Sequence, residues 1–378
     1  MKKKHYIVIS IIVVFVLASI FILFPLKKAS EVIKIGAILP LTGENAKYGE
    51  SAKNSIDLAI EEINSGKGIN GKKISVIFED SKGNTKEGVN AIKKLIIANK
   101  VSSIIGAMAS SITLAIAPIA EESEVVLLSP ASSAPEITHA GDYIFRNCYS
   151  DIYEGSKMAN YIYNETVYRK VSIIHINNDY GMGLREAFRE EFKRLGGKVV
   201  SIETYDFGAT DFRTQIGKLM LSRPDAIYIV GYGEMGRLLI QTKELGCEIP
   251  FFSCIMFEDP DIIEISGEIS EGIIYTFPSF DTDSKKNVVE DFVNSYKSKY
   301  NERPDGFAAN TYDALKILSL AIKKGGDKGY KIKEALYTIK DYPGVTGKTS
   351  FDINGDVVKP IGIKTVENGK FKWVVFEY

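Results

Sequence analysis

The sequence predicts an α/β protein in which two doubly wound parallel-sheet units share one chain, preceded by one N-terminal transmembrane helix. Three observations lead there. From residue 33 onward, apolar strand-like runs alternate with amphipathic segments. The same alternation restarts near Asp151. An unbroken apolar run of about 19 residues stands near the N-terminus, long enough for a membrane core.

The elements follow in order. Ile33–Leu39 reads as a strand, followed by a turn containing Gly43 and Asn45. Residues 49–64 place Ile56, Ala59, Ile60 and Ile63 at helical spacing. Residues 73–78, 101–105 and 125–129 are expected strands, separated by helices over 86–98 and 111–122. This β-α-β-α-β order argues for a parallel sheet covered by helices on both faces. After Asp151 come a helix over 154–164, a strand over Lys170–Ile176 and a helix over 184–195, which Gly196-Gly197 closes as a C-cap signal. Residues 199–205, 212–222, Ala226–Val230, 234–245 and 250–254 continue as strand, helix, strand, helix, strand. Helices are then expected over Asn287–Tyr300, 306–323 and 332–338. A hairpin turns at Asn354-Gly355 within residues 351–357, and strands over 361–366 and 371–376 finish the chain.

Composition narrows the function classes. The chain has 378 residues, 45% hydrophobic and 25% charged, with a formal net charge of −1. Basic residues are spread rather than clustered, which gives no electrostatic footprint for nucleic acid. At the N-terminus, Lys2, Lys3 and Lys4 precede the apolar run 6–24, which ends at Pro25, Lys27 and Lys28. As a helix the run spans roughly 28 Å, and it exceeds the about 7–15 residues of a secretory h-region. No A-x-A-like site follows closely. The expectation is an uncleaved signal anchor over residues 1–30, holding the rest of the chain outside the cell membrane. The alternative is a cleaved signal peptide and a secreted or periplasmic protein.

Cys148, Cys247 and Cys254 fit neither a metal spacing nor a C-x-x-C motif. Cys247 and Cys254 could pair outside the cell, and free buried thiols are expected otherwise. His5, His139 and His175 are too scattered for a metal cluster, and no G-x-S-x-G elbow occurs. No enzyme, metal or cofactor is expected.

Ligands of doubly wound sheets bind beyond the carboxyl ends of the strands. Three loops at such ends carry small hydroxyl residues and glycines: LPLTGENAKYGE (39–50), GAMASSIT (106–113) and SPASSAPEIT (129–138). Serine hydroxyls together with helix N-terminal N–H groups suit a small carboxylate.

The runs IKIGAILPLTGENAKYGES and IIGAMASSITLAIAPIAEESEVVLLSPASSAPEIT, with the later NNDYGMG, DFRTQIGKLMLSRPDAIYIVGYGEMG and FDINGD stretches, carry a family resemblance. The chain resembles the branched-chain amino-acid (leucine/isoleucine/valine) binding proteins, type I periplasmic solute-binding proteins of ABC transporters, over roughly residues 32–378. The resemblance implies two lobes joined by a three-crossing hinge: 31–150 with about 280–357, and 151–279 with about 358–378. A small ligand enters the open cleft, the lobes close, and membrane permease subunits read the closed, monomeric protein. A ligand-sensing receptor domain for amides or small carboxylates is the alternative. The family's carboxylate grip falls on Ser110, Ala131 (backbone) and Ser133, its side-chain wall on Tyr48, and its closing contacts on Tyr180 and Tyr232. One departure stands out. Where amino-acid-binding members place a carboxylate for the ligand ammonium, this chain has an apolar residue at or beside Ile255, so either Glu258 or Asp259 reaches in or the ligand has no ammonium group.

The stretch IYIVGYGEMGRLLI (227–240) spaces Gly231, Gly233 and Gly236 as a dinucleotide fingerprint. It falls late in the second unit, on a part of the chain expected outside the cell. Under the resemblance, Gly231 and Gly233 make a tight strand-to-helix turn and let the backbone approach the ligand. NAD-dependent chemistry there is the least favoured reading.

Overall fold

The structure, a computed structural model, describes residues 32–278 and 280–376. The expected anchor over residues 1–30 lies outside the described residues. Among the described residues, no helix is long and apolar enough to cross a membrane.

The first sheet is wholly parallel. Strands β1 (Ile33–Leu39), β2 (Ile74–Asp80), β3 (Ser103–Gly106), β4 (Val126–Ser129) and β5 (Ile144–Arg146) lie in the order β2-β1-β3-β4-β5. Side chains alternate between two separate cores, which is why the strands read as continuous apolar runs. Ile35, Ala37, Leu39, Ile105 and Leu128 face one core, and Ile38, Ile104, Leu127 and Ile144 face the other. Helices α2 (Thr85–Ile97) and α3 (Ser110–Glu122) cover the second core with Ala91, Ile92, Leu95, Ile112 and Ile116. Helix α1 (Ala46–Ser65) packs on the first core through Ala52, Ile56 and Ala59.

The chain then leaves this sheet through Asn147–Ser150. Helix α4 (Asp151–Glu165), strand β6 (Lys170–Ile176), α5 (Asp179–Arg194), β7 (Lys198–Tyr205), α6 (Arg213–Leu221), β8 (Ala226–Val230), α7 (Met235–Glu244), β9 (Phe251–Ser253), α8 (Pro260–Ser266) and β10 (Ile274–Pro278) build the second unit. It returns to the first sheet as α9 (Asn287–Tyr300), α10 (Gly306–Gly325), α11 (Gly329–Tyr337) and the hairpin β11 (Tyr342–Gly344)–β12 (Gly347–Thr349). Phe292, Leu315, Leu318 and Leu336 from these helices complete the first core. It crosses a third time to add β13 (Ile361–Glu367) and β14 (Lys370–Val375), an antiparallel edge on a sheet ordered β14-β13-β10-β9-β8-β6-β7.

Most expected elements occur with ends shifted by one to five residues, as caps dictate. Asn178 caps α5 by accepting from Gly181 N–H at 2.8 Å, so this helix begins five residues before the apolar periodicity does. The short strands β5 and β10, the β11–β12 hairpin and helix α8 were not expected; each is too short to show a period. The expected 351–357 hairpin is reduced to one bridge, Phe351 to Val357. Its Asn-Gly turn is instead drawn onto β5. Gly355 has φ +77°, and a Cβ there would lie 2.5 Å from the Ile144 carbonyl oxygen.

A buried guanidinium ties these pieces together. Arg146, at the end of β5, is 0% exposed. Its Nε and Nη2 donate to the two carboxylate oxygens of Asp356 at 2.6 and 2.7 Å, and Nη2 also donates to Thr138 Oγ1 at 2.6 Å. Nη1 donates to the carbonyls of Ser133 and Ala134 at 3.0 and 2.9 Å. One side chain thus joins the residues before the first crossing, those before the third, and the Ser133 loop. Arg146→Met leaves Asp356 and two carbonyls without their donor, and breaking one side of a buried pair typically costs about 3–5 kcal/mol. Denaturant unfolding is expected to show a loss of that order.

Candidate functional site

The strand orders place the site. In the first sheet the topological switch lies between β1 and β3, and in the second between β6 and β8, so the loops after these strands open a crevice in each unit. The two crevices face each other across a cavity of about 80 Å³. The first unit contributes Tyr48, Ser110, Ala131 and Ser133, and the second contributes Tyr180, Tyr232, Ile255 and Met256. Tyr149 and Glu154 come from the first crossing and the start of α4. Phe307 and Asn310 come from α10.

One end of the cavity suits an anion. Ala109 at the α3 N-cap makes no side-chain cap bond, so its first-turn N–H groups rely on other partners. Ser110 Oγ accepts from the N–H groups of Ser133 and Ala134, both at 3.2 Å, which leaves its own proton to donate. Ala131 N–H points at Ser129 Oγ, 3.3 Å away, a long bond that a better acceptor can replace. Beneath this loop, the hydroxyls of Ser129 and Ser132 both donate to the Ala107 carbonyl, at 2.7 and 3.0 Å.

The walls are aromatic. Tyr180 and Tyr232 stack with centroids 5.7 Å apart, and Tyr48 packs on Phe307 at 5.1 Å. Tyr48 also donates to Asp259 Oδ2 at 2.9 Å, beside Lys47, which reaches Asp259 at 2.6 Å and Asp261 at 2.5 Å. These contacts join the two units at the rim.

Of the residues singled out from sequence, Tyr48, Ser110, Ala131, Ser133, Tyr180 and Tyr232 line this one cavity, and Glu258 does not. Glu258 lines the adjoining pocket instead, accepting from Tyr275 OH at 2.6 Å and pairing with Lys364 at 2.5 Å. Asp259 is taken up by Lys47 and Tyr48. Gly231 and Gly233 do not touch the cavity either. A Cβ on Gly231 would lie 1.6 Å from the Tyr205 hydroxyl, and one on Gly236 would lie 3.1 Å from Ile265, while Gly233 faces open space. The fingerprint spacing therefore serves packing of Tyr205 and α8. Cys148, Cys247 and Cys254 are all free thiols. His175 is buried in β6, with Nδ1 against the Ile176 carbonyl at 2.8 Å.

The sequence reading missed Glu154. Its carboxylate is fully buried and lines the cavity. Oε1 accepts from Ile255 N–H at 2.8 Å and Thr276 Oγ1 at 2.5 Å, while Oε2 has no partner. Burial pushes its pKa up to about 7 against the opposing pull of those two donors. An acidic first turn is an ordinary helix signal, so only the position of α4 marks this one. The hydroxyl of Tyr149 is also buried without a partner, and that of Tyr180 has only the Cys254 thiol beside it.

The periplasmic binding protein family model matches residues 32–370, and the chain belongs to that family. It is a solute-binding protein of the branched-chain amino-acid transporter type rather than an enzyme. The leucine-, isoleucine-, valine-, threonine- and alanine-binding protein of Pseudomonas aeruginosa is 30% identical over 334 residues, covering 87% of this chain and 88% of its own. The crystal structure of the leucine-binding protein LivK from Thermotoga maritima superposes with a TM-score of 0.84 at 33% identity, covering 90% and 97% of the two chains. LivJ from Streptococcus pneumoniae, solved in complex with isoleucine, gives 0.82 at 32% identity over 90% and 98%.

Two outcomes follow from the site itself. A folded-state carboxyl pKa raised from 4.5 to about 7 favours the folded protein below the lower value and withdraws that contribution as pH rises through 7, by up to about 3 kcal/mol. Without ligand, the melting temperature of Glu154→Gln relative to the unsubstituted protein should therefore climb between pH 5 and pH 8. Gly231→Ala should cost about 1–3 kcal/mol through Tyr205, measured by denaturant unfolding.

Proposed function

We propose that the protein is an extracytoplasmic receptor that captures a small apolar amino acid of the branched-chain class between its two lobes and delivers it to an ABC importer. The observation that carries this reading is the cavity itself, in which unpartnered polar atoms from both units converge beside apolar walls. Buried polar atoms without partners are costly, and a zwitterion with an aliphatic side chain supplies partners to them. Ser110, the Ala131 backbone and Ser133 hold the ligand carboxylate at the α3 N-terminus. Tyr48 walls the side-chain end, and Tyr180 and Tyr232 close over it from the second lobe. The ligands named for the relatives from Pseudomonas and Streptococcus support the same class.

The moving bodies are residues 31–150 with about 280–357, and 151–279 with about 358–378, turning about the three crossings. The Lys47–Asp259 and Lys47–Asp261 pairs act as a rim latch that forms on closure, and permease subunits read the closed shape. The protein works as a monomer outside the membrane, whether the N-terminal segment holds it there or is removed.

Thermal unfolding of the purified chain against amino acids, amides and small carboxylates tests the reading. A ligand at about 100 times its dissociation constant adds about 2.7 kcal/mol, a rise of several degrees for a chain of this size. Leucine, isoleucine or valine should produce it; a shift confined to compounds without an amine would refute the amino-acid assignment. Ser110→Ala combined with Ser133→Ala should weaken binding by at least tenfold, since each hydrogen bond to a charged group is worth about 1.5–3 kcal/mol, and should lower the unliganded melting temperature by a few degrees, since the Ser133 and Ala134 N–H groups lose the Ser110 acceptor.

A further inference from the structure

We propose that Glu154 reads the ligand's ammonium group: the free oxygen of its carboxylate accepts from a primary amine in the cavity and so selects α-amino acids over their amine-free counterparts. The inference rests on the solute-binding reading above and assigns to it a residue from α4. The geometry is specific. Oε1 is fully engaged by Ile255 N–H and Thr276 Oγ1, which hold the carboxylate in one orientation. Oε2 is left buried and without a partner on the wall of the cavity. An ionised carboxylate so held already has two of the hydrogen bonds that a buried ion pair needs in order to be favourable.

The surroundings also favour a cation. The titratable groups facing Glu154 are Asp151 on its own helix, Tyr149 in the first crossing, Tyr180 on α5, Tyr228 on β8 and Cys254 after β9. None of these side chains can carry positive charge, and aromatic faces add attraction for an ammonium. The other carboxylates near the rim are committed, Asp259 to Lys47 and Tyr48, and Glu258 to Lys364.

The position fits an α-amino acid in particular. Asp151 N–H donates to the Ser133 carbonyl at 2.8 Å, fastening the first turn of α4 to the loop at the anion end. Glu154, three residues on, lies on the same side of that helix. Glu154 and the carboxylate grip of Ser110, Ala131 and Ser133 line the same cavity, as an ammonium and a carboxylate borne on one carbon require.

L-leucine and its amine-free counterpart 4-methylpentanoate are the probes, titrated calorimetrically into the unsubstituted protein and Glu154→Gln from pH 5 to pH 8. Glutamine keeps the Oε1 acceptor for Ile255 and Thr276, and its unliganded melting curve checks that the fold is intact. The expected result is that the unsubstituted protein binds L-leucine and rejects 4-methylpentanoate. Its affinity for L-leucine should rise by up to about tenfold per pH unit toward pH 7 and then level off, because the bound amine needs the ionised carboxylate. Glu154→Gln should bind L-leucine about 10- to 150-fold more weakly and lose that pH dependence. Equal L-leucine affinity and an unchanged pH profile in Glu154→Gln overturn the inference while leaving the receptor reading intact. Equal or tighter binding of 4-methylpentanoate by the unsubstituted protein overturns it too. If Glu154→Gln does not fold, the pH profile of the unsubstituted protein decides: affinity that is flat or falls toward pH 7 overturns the inference. An unsubstituted protein that binds neither probe overturns the amino-acid reading and this inference with it.

Discussion

The Arg146 guanidinium is the interaction on which the rest of the molecule's geometry depends. Its donors end on Asp356, Thr138 and the carbonyls of Ser133 and Ala134, groups far apart in sequence that the fold must bring together. A charge with no exposure is tolerable only when its donors are satisfied and its counter-ion is close. That requirement sets the exit of β5, the approach to β13 and the shape of the Ser133 loop together. The Asn147 side-chain amide, bonded to the Asn310 carbonyl at 2.9 Å, and Lys359, bonded to Thr346 at 2.5 Å, extend the same buried polar seam along the crossings. Asp313 accepts from Val345 N–H and from both the N–H and the hydroxyl of Thr346.

The cavity beside that seam uses the opposite logic. In the Arg146–Asp356 and Asp313–Thr346 clusters each of these donors has an acceptor, which favours a single arrangement. At the cavity, Glu154 Oε2 and Tyr149 OH have none, which favours whatever ligand provides one. The contrast separates a structural polar network from a binding one more sharply than residue type does, since both contain buried acids and hydroxyls. The rim follows a third pattern: Lys47, Asp259 and Asp261 meet across the two units where one partner is exposed. Such pairs contribute little energy individually.

How much could be read from sequence differs by element. The strands at Ile33–Leu39, Lys170–Ile176 and Ala226–Val230 were legible because sheets buried on both faces demand unbroken apolar runs. The Ser110 and Ser133 loops were legible because doubly wound sheets bring successive strand ends together. The spacing of Gly231, Gly233 and Gly236 matches a phosphate loop, and its place late in the second unit already argued against one; what it could not show is that the first and third admit Tyr205 and Ile265. Glu258 was equally plausible from its place in the chain. It lies a few residues past β9, as a cleft carboxylate would, but Lys364 from β13 captures it across more than a hundred residues.

The sequence by itself determined the two α/β units, the order of their elements, the family and the loops that meet at the cleft. All of these follow from local periodicity, turn chemistry and ordered motifs. Only the tertiary structure decided which acid lines the cavity with a free oxygen. Glu154, Glu258 and Asp259 are equivalent as residues, and they differ in whether a lysine from elsewhere in the chain reaches them. That depends on contacts between segments distant in sequence, which neither spacing nor composition records.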